Sequence, residues 1–352
     1  MSAFDIKKLL QSVVSHGASD LHLVSRTEPQ IRLDGVLKPV NLPILTGEDI
    51  EEMCYSLITE KQKQQFEEFG ELDFALLLPG MGRFRGNYYK TLGDTAAAFR
   101  VIPIDIPSLD DLNAPAVYKK MIKREKGLIL ITGPTGSGKS TTLAAMLNEI
   151  NITEQKHIIT VEDPVEFIHQ NKKCVFSHRG VGEDTRSFAA ALKYALRQDP
   201  DVILIGEMRD KETIESGLTA AETGHLVFGT LHTSSAPGTI NRIIDVFSGD
   251  EQGQIRAMIA SSLVAVIAQM LLPKMGGGRV AASEILITNP AISNLIREDK
   301  VHQIYSQMQL GQGDTGMQTQ TQALMAFLKE GKISRDIALQ YANRPEEIKS
   351  IL

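Results

Sequence analysis

Gly133-Pro134-Thr135-Gly136-Ser137-Gly138-Lys139-Ser140 is the stretch that decides the fold. It fits the pattern G-x-x-x-x-G-K-[ST], follows the apolar run 128–132 and opens a segment of helical character. Gly133, Gly136 and Gly138 let the backbone turn its N–H groups inward around a phosphate. The helix behind them adds the positive end of its dipole. Lys139 is expected to reach the β- and γ-phosphates and Ser140 to bind Mg²⁺ through its hydroxyl, with Thr135, Ser137, Thr141 and Thr142 around the phosphates. A strand, a glycine-rich loop and a helix in that order predict an α/β core whose ligand is ATP.

Beyond the loop, apolar runs alternate with helical segments. Runs at 158–161, 175–177, 202–205, 226–231 and 281–287 read as strands. Their continuous β-branched character means burial on both faces, hence a largely parallel sheet. Segments 187–197, 210–222, 236–247 and 251–271 read as the helices between them, and 291–352 as a helical carboxyl-terminal region. Residues 1–102 have a different, α+β pattern. A helix is expected over 4–16, through Phe4, Leu9, Leu10, Val13 and Val14, followed by short strands at 20–23 and 30–33 with an Asp34-Gly35 turn. Two polar helices follow over 47–69, then antiparallel strands at 72–78, 83–90 and 96–102. Pro103, Pro107 and Pro115 mark a linker at 103–114. The ATPase core is expected over 115–290.

Three strand ends carry groups suited to phosphate chemistry. The run Val202–Ile205 leads into Gly206-Glu207, and Glu207 is the choice for orienting the attacking water. Strand 157–161 leads into Glu162-Asp163-Pro164; Glu162 is the preferred holder of the Mg²⁺ shell through water, and Asp163 also suits a turn. His225 and His232 bracket the run 226–231. His232, at the carboxyl edge, is suited to sensing the γ-phosphate, whereas a structural role is equally open for His225. In the first domain Arg83 and Arg85 share a strand face, and Arg100 falls on the neighbouring strand. Exposed on a sheet surface, they are candidates for the positive charge that phosphoryl transfer needs from outside the loop.

Composition narrows the class. A chain of 352 residues suits two domains. The net charge of −6, the absence of Trp and the few aromatics argue against a nucleic-acid translocase, the main alternative of another class. A nucleotide-gated scaffold with little turnover is a further alternative. Lys119, Lys120, Lys123, Arg124 and Lys126 read as a solvated helix face. The two cysteines, Cys54 and Cys174, form no CxxC pair, so a structural zinc site is not expected, and Cys174 reads as a small buried hydrophobe. The start, MSAFDIKKLL, lacks the apolar core of a signal peptide, and the stretch around 263–272 is too short to span a bilayer. The chain reads as cytoplasmic.

The motifs together resemble the bacterial ATPases of type II secretion and type IV pili, over essentially the whole chain from Gly17-Ala18-Ser19-Asp20-Leu21-His22 onward. They are GPTGSGKST at 133–141, ITVEDPVEF at 159–167, LRQDPDVILIGEMRD at 196–210 and TGHLVFGTLHT at 223–233. The last three are the family's Asp box, Walker B and His box. The resemblance implies a PAS-like amino-terminal domain, a RecA-like core and a ring of six chains. It assigns the chemistry to Glu162, Glu207, His225, His232, Arg83, Arg85 and Arg100. Assembly members of the family are longer and usually carry a tetracysteine zinc module. Neither feature occurs here, which favours the pilus-retraction branch, as its main motor or an accessory paralogue. In that branch a carboxyl-terminal motif AIRNLIRE recurs; here it reads AISNLIRE at 291–298, with Ser293 in place of Arg. The implied function is a Mg²⁺-dependent motor for twitching motility at the cytoplasmic face of the inner membrane, and the implied partner is the membrane platform protein at the pilus base.

Overall fold

The computed structural model describes residues 5–33, 35–102, 105–310 and 315–351. Phe4, Asp34 and Pro103, named above, lie outside the described residues. The chain forms two compact units: 1–105 together with 164–168, and 106–163 together with 169–352.

The first unit is a six-stranded antiparallel sheet backed by helices. In chain order its elements are α1 (Ile6–Ser15), β1 (Asp20–Leu23), β2 (Gln30–Leu33), β3 (Val36–Pro39), α2 (Gly47–Tyr55), α3 (Glu60–Phe69), β4 (Glu71–Leu78), β5 (Gly82–Thr91) and β6 (Asp94–Ile102). The sheet order is β3-β2-β1-β6-β5-β4. Capping explains the helix starts. Asp5 accepts from the Lys7 and Lys8 N–H groups at the head of α1, and Thr46–Asp49 and Thr59–Gln62 form capping boxes on α2 and α3. Strand alternation sends Leu21, Phe74, Phe84, Tyr88 and Phe99 into a core with the helices. Tyr88 meets Phe66, Phe74 and Phe99 edge to face there. The same alternation puts Asp20, Arg83, Arg85 and Arg100 on the opposite face.

In the second unit the elements run α4 (Val117–Met121), β7 (Gly127–Thr132), α5 (Lys139–Thr153), β8 (His157–Glu162), β9 (Val175–Gly180), α6 (Phe188–Ala195), β10 (Val202–Ile205), α7 (Lys211–Thr223), β11 (Leu226–Leu231), α8 (Ala236–Ile244), α9 (Gln252–Ser262), β12 (Leu263–Pro273), β13 (Arg279–Ile287), α10 (Pro290–Arg297), α11 (Ile304–Leu310), α12 (Gln320–Lys329), α13 (Arg335–Tyr341) and α14 (Pro345–Ile351). The sheet order is β13-β12-β7-β11-β10-β8-β9, parallel throughout except for β13. Both faces are covered by apolar clusters, which is why the strand sequences show no period-two alternation.

That lack of alternation also explains one wrong expectation. Residues 251–271 read as a single helix, but the helix stops at Ser262, whose hydroxyl bonds the Met258 carbonyl at 2.7 Å. From Leu263 the chain is β12, seated between β7 and β13. Buried on both sides, an apolar strand and an apolar helix look alike in sequence. Both cysteines are buried: Cys54 has no exposed surface, and Cys174 is 1% exposed. Burial pushes the Cys54 thiol up to about 12. Lys119 is ion-paired with Asp110, while Lys120, Lys123, Arg124 and Lys126 are exposed. Ser293 is buried in α10 and donates to the Ala260 carbonyl at 2.8 Å.

Candidate active site

Parallel register brings the strand ends to one edge. Thr132 pairs with Leu231, Gly229 with Ile205, and Ile205 with Val161. The loop after β7, His232 after β11, Glu207 after β10 and Glu162 at the end of β8 therefore leave the sheet on the same side. This is the edge where open α/β sheets bind ligands.

The loop has the backbone its sequence requires. Gly133, Gly136 and Gly138 have φ of 140°, 79° and 85°, values an L-residue adopts only with strain. At Gly136 an added Cβ would meet nothing within 4 Å, so the loop opens to solvent there. Helix α5 begins at Lys139 with Gly138 as its N-cap and no side-chain cap. An anion is well matched to a helix start without a side-chain cap. The Lys139 ammonium donates to the carbonyls of Gly133 and Pro134 at 2.7 and 3.0 Å, folded back over the loop. Glycine backbone, an uncapped helix start and one ammonium together fit a polyphosphate.

Glu207 is at the centre of the remaining groups. Its Oε1 lies 2.9 Å from His232 Nε2 and is also bonded by Arg209 Nε. These residues line a pocket of about 490 Å³ with Met208, Thr233 and Arg242. The Gly206 N–H bonds the Val161 carbonyl at 2.8 Å, and the Thr230 hydroxyl donates to the Gly206 carbonyl, so neighbouring strands fix the peptide that carries Glu207. Adjacent strands lie about 5 Å apart. His232 is one strand from the phosphate loop, Glu207 two and Glu162 three.

The structure does not bring His225 to this edge. It precedes β11, at the opposite end from His232, and its Nδ1 lies 2.9 Å from the Ala220 carbonyl at the end of α7. Within its own chain it cannot touch a phosphate held by the loop. The arginines need a second correction, because Arg83 is not exposed. It is 7% accessible and donates to the carbonyl of Glu166 at 2.7 Å, holding the segment 164–168 within the first unit. Arg85 and Arg100 are cross-strand partners. Arg100 Nε bonds Asp20 Oδ1 at 2.8 Å, Arg32 Nε lies 3.6 Å from Asp20 Oδ2, and Arg85 lies 3.8 Å from Asp73. Burial raises the Asp20 pKa, but the Ser19 hydroxyl and Arg100 outweigh it, and the net shift is downward.

Arg209, Arg242 and Gln269 were not among the expected site residues. Gln269 at least carries a visible signal, as the single polar side chain within the apolar run of β12.

A phosphate loop on a parallel sheet, with a carboxylate and a histidine paired at the adjoining edge, defines a nucleoside-triphosphatase of the P-loop class. The comparisons narrow that class. The family model described as Type II/IV secretion system protein matches residues 108–277. The chain is 51% identical over 342 residues to the type IV pilus retraction ATPase PilT of Pseudomonas aeruginosa, covering 97% of this chain and 99% of that one. It is 47% identical over 347 residues to a twitching motility protein of Neisseria gonorrhoeae, covering 98% and 92%. A crystal structure of the pilus retraction motor PilT with bound ADP superposes with a TM-score of 0.91 at 48% identity, covering 99% of both chains. The chain belongs to the type II/IV secretion ATPase family and is an ATP hydrolase. Among the described residues no helix is long and apolar enough to cross a membrane.

Proposed function

We propose that this chain is the motor that retracts type IV pili for twitching motility, working as a ring of six at the cytoplasmic face of the inner membrane against the platform protein at the pilus base. The observation that carries the reading is near end-to-end likeness to retraction ATPases, joined to an intact phosphate loop and a paired Glu207–His232 edge. The domain plan is 1–102, a linker at 103–114, a core at 115–290 and a helical region at 291–352. The antiparallel sheet with its helices on one face supports a PAS-like first domain, and the sheet order of the second unit supports a RecA-like core.

In the mechanism, the loop N–H groups and Lys139 hold the β- and γ-phosphates. Thr135, Ser137 and Thr141 border them. Ser140, on the first turn of α5, would be the hydroxyl ligand for Mg²⁺, with Glu162 reaching its shell through water. Mg²⁺ supplies neutralising charge on the phosphate oxygens when bound. Glu207 orients the attacking water and accepts its proton. His232, bonded to Glu207, reports the γ-phosphate to α8, which starts four residues later. Arg85 and Arg100 supply charge from outside the loop, and Arg83 acts through the segment 164–168. Turnover then drives rotation between the two domains.

The experiment is deletion of the gene. Surface pili should persist or increase while surface motility is lost. Loss of pili from the surface would assign the chain to assembly instead, and unchanged motility to an accessory role.

A further inference from the structure

Gln269 is 3% exposed. A buried amide must place both its acceptor and its donors, and this one does so across two long sequence separations. Its Oε1 accepts from the Thr142 hydroxyl at 2.9 Å, and its Nε2 donates to the Ser137 carbonyl at 2.8 Å. The orientation is unambiguous, because a carbonyl can only accept. Thr142 is on the first turn of α5 and Ser137 is in the crown of the phosphate loop. The backbone of Gln269 also fits closely: its carbonyl oxygen lies 2.1 Å from where a Cβ on Gly133 would stand. One residue of β12 thus touches the start of the loop, its crown and its helix.

The bond to Ser137 has a chemical consequence. In a trans peptide the C=O and the following N–H point in opposite directions. Drawing the Ser137 carbonyl toward β12 therefore aims the Gly138 N–H away from β12. With the peptide reversed, a carbonyl dipole would face the phosphate. We infer that Gln269 is a positioning residue that locks the Ser137–Gly138 peptide so that its N–H, not its C=O, faces the bound phosphate.

The test is nucleotide binding by the full chain, read with fluorescently labelled ADP and ATP, beside steady-state phosphate release. Gln269→Leu keeps the size and removes both bonds. Affinity should weaken about tenfold or more, as expected for one misdirected hydrogen bond to a charged ligand. KM should rise in parallel, and kcat should change by less than about threefold. Gln269→Glu adds a readout that packing alone would not move. Its neutral acid donates to the Ser137 carbonyl as the amide does, while its carboxylate repels that carbonyl. The ratio of its dissociation constant to that of the wild type should fall toward one as pH is lowered. Binding by Gln269→Leu within twofold of wild type, or a ratio for Gln269→Glu that stays flat with pH, would overturn the assignment. Should the leucine variant not fold, the pH dependence of the glutamate variant decides alone.

Discussion

Glu207 shares one carboxylate oxygen between His232 and Arg209, so its charge is held in place before any water arrives. Glu207→Gln keeps the shape and loses that charge. ATP binding should survive while turnover drops by roughly 10²–10⁴; normal turnover would move the role elsewhere. Arg83 calls for a different outcome from Arg100. Removing Arg83 deletes a part-buried, charge-assisted hydrogen bond to the Glu166 carbonyl, which should cost about 2 kcal/mol of stability. Arg83→Ala should therefore lower the denaturation midpoint. Arg100 is largely exposed, and its loss still leaves Asp20 the Ser19 hydroxyl and Arg32, so Arg100→Ala should lower the midpoint less than Arg83→Ala while slowing hydrolysis. Equal melting curves for wild type and Arg83→Ala would return Arg83 to the exposed set.

Strand β9 carries an element-scale feature with its own pH dependence. His169 stacks on Phe176 with ring centres 4.4 Å apart, and Phe176 on His178. His178 Nε2 accepts from the His169 backbone N–H, so its Nδ1 carries the proton toward Thr160. Burial pushes the His169 imidazole down to about 3, against about 6.5 in an unfolded chain. Its folded form stays neutral while the unfolded form takes up a proton, so it costs stability as pH falls below 6.5, by up to about 1.4 kcal/mol per pH unit. His169→Phe keeps the stack and should flatten the acid limb of the stability curve between pH 6.5 and 5. An unchanged slope would show that other groups set it. The stack also illustrates what a sequence reveals. The loop at 133–140 and the acid ending β10 are legible because their chemistry demands contiguous residues. Gln269 stands out in its apolar run but its role does not, because its partner in the loop is 132 positions away, and β12 is read as helix because a strand buried on both faces loses its alternation. Arg83 fails for a related reason. Its alternation identifies the face correctly, but burial on that face comes from segment 164–168, remote in sequence.

At the scale of the whole molecule, the ring proposal predicts complementation. Lys139→Ala chains should be inactive alone and Arg100→Ala chains slow. Mixed, they should recover part of the activity if arginines serve a neighbouring chain's loop, because some interfaces then pair an intact loop with an intact arginine. No recovery, with rings intact by light scattering, would confine the arginines to their own chain. The buried cysteines make such experiments practical. With Cys54 and Cys174 sealed in the interior, a thiol-reactive dye should find nothing to modify on the native chain and two sites after denaturation. A single cysteine introduced on the surface would then be the only place a fluorophore attaches. Each chain could carry one label per domain-facing position of choice, and energy transfer between two such labels would follow the motion through a turnover in the otherwise unmodified protein.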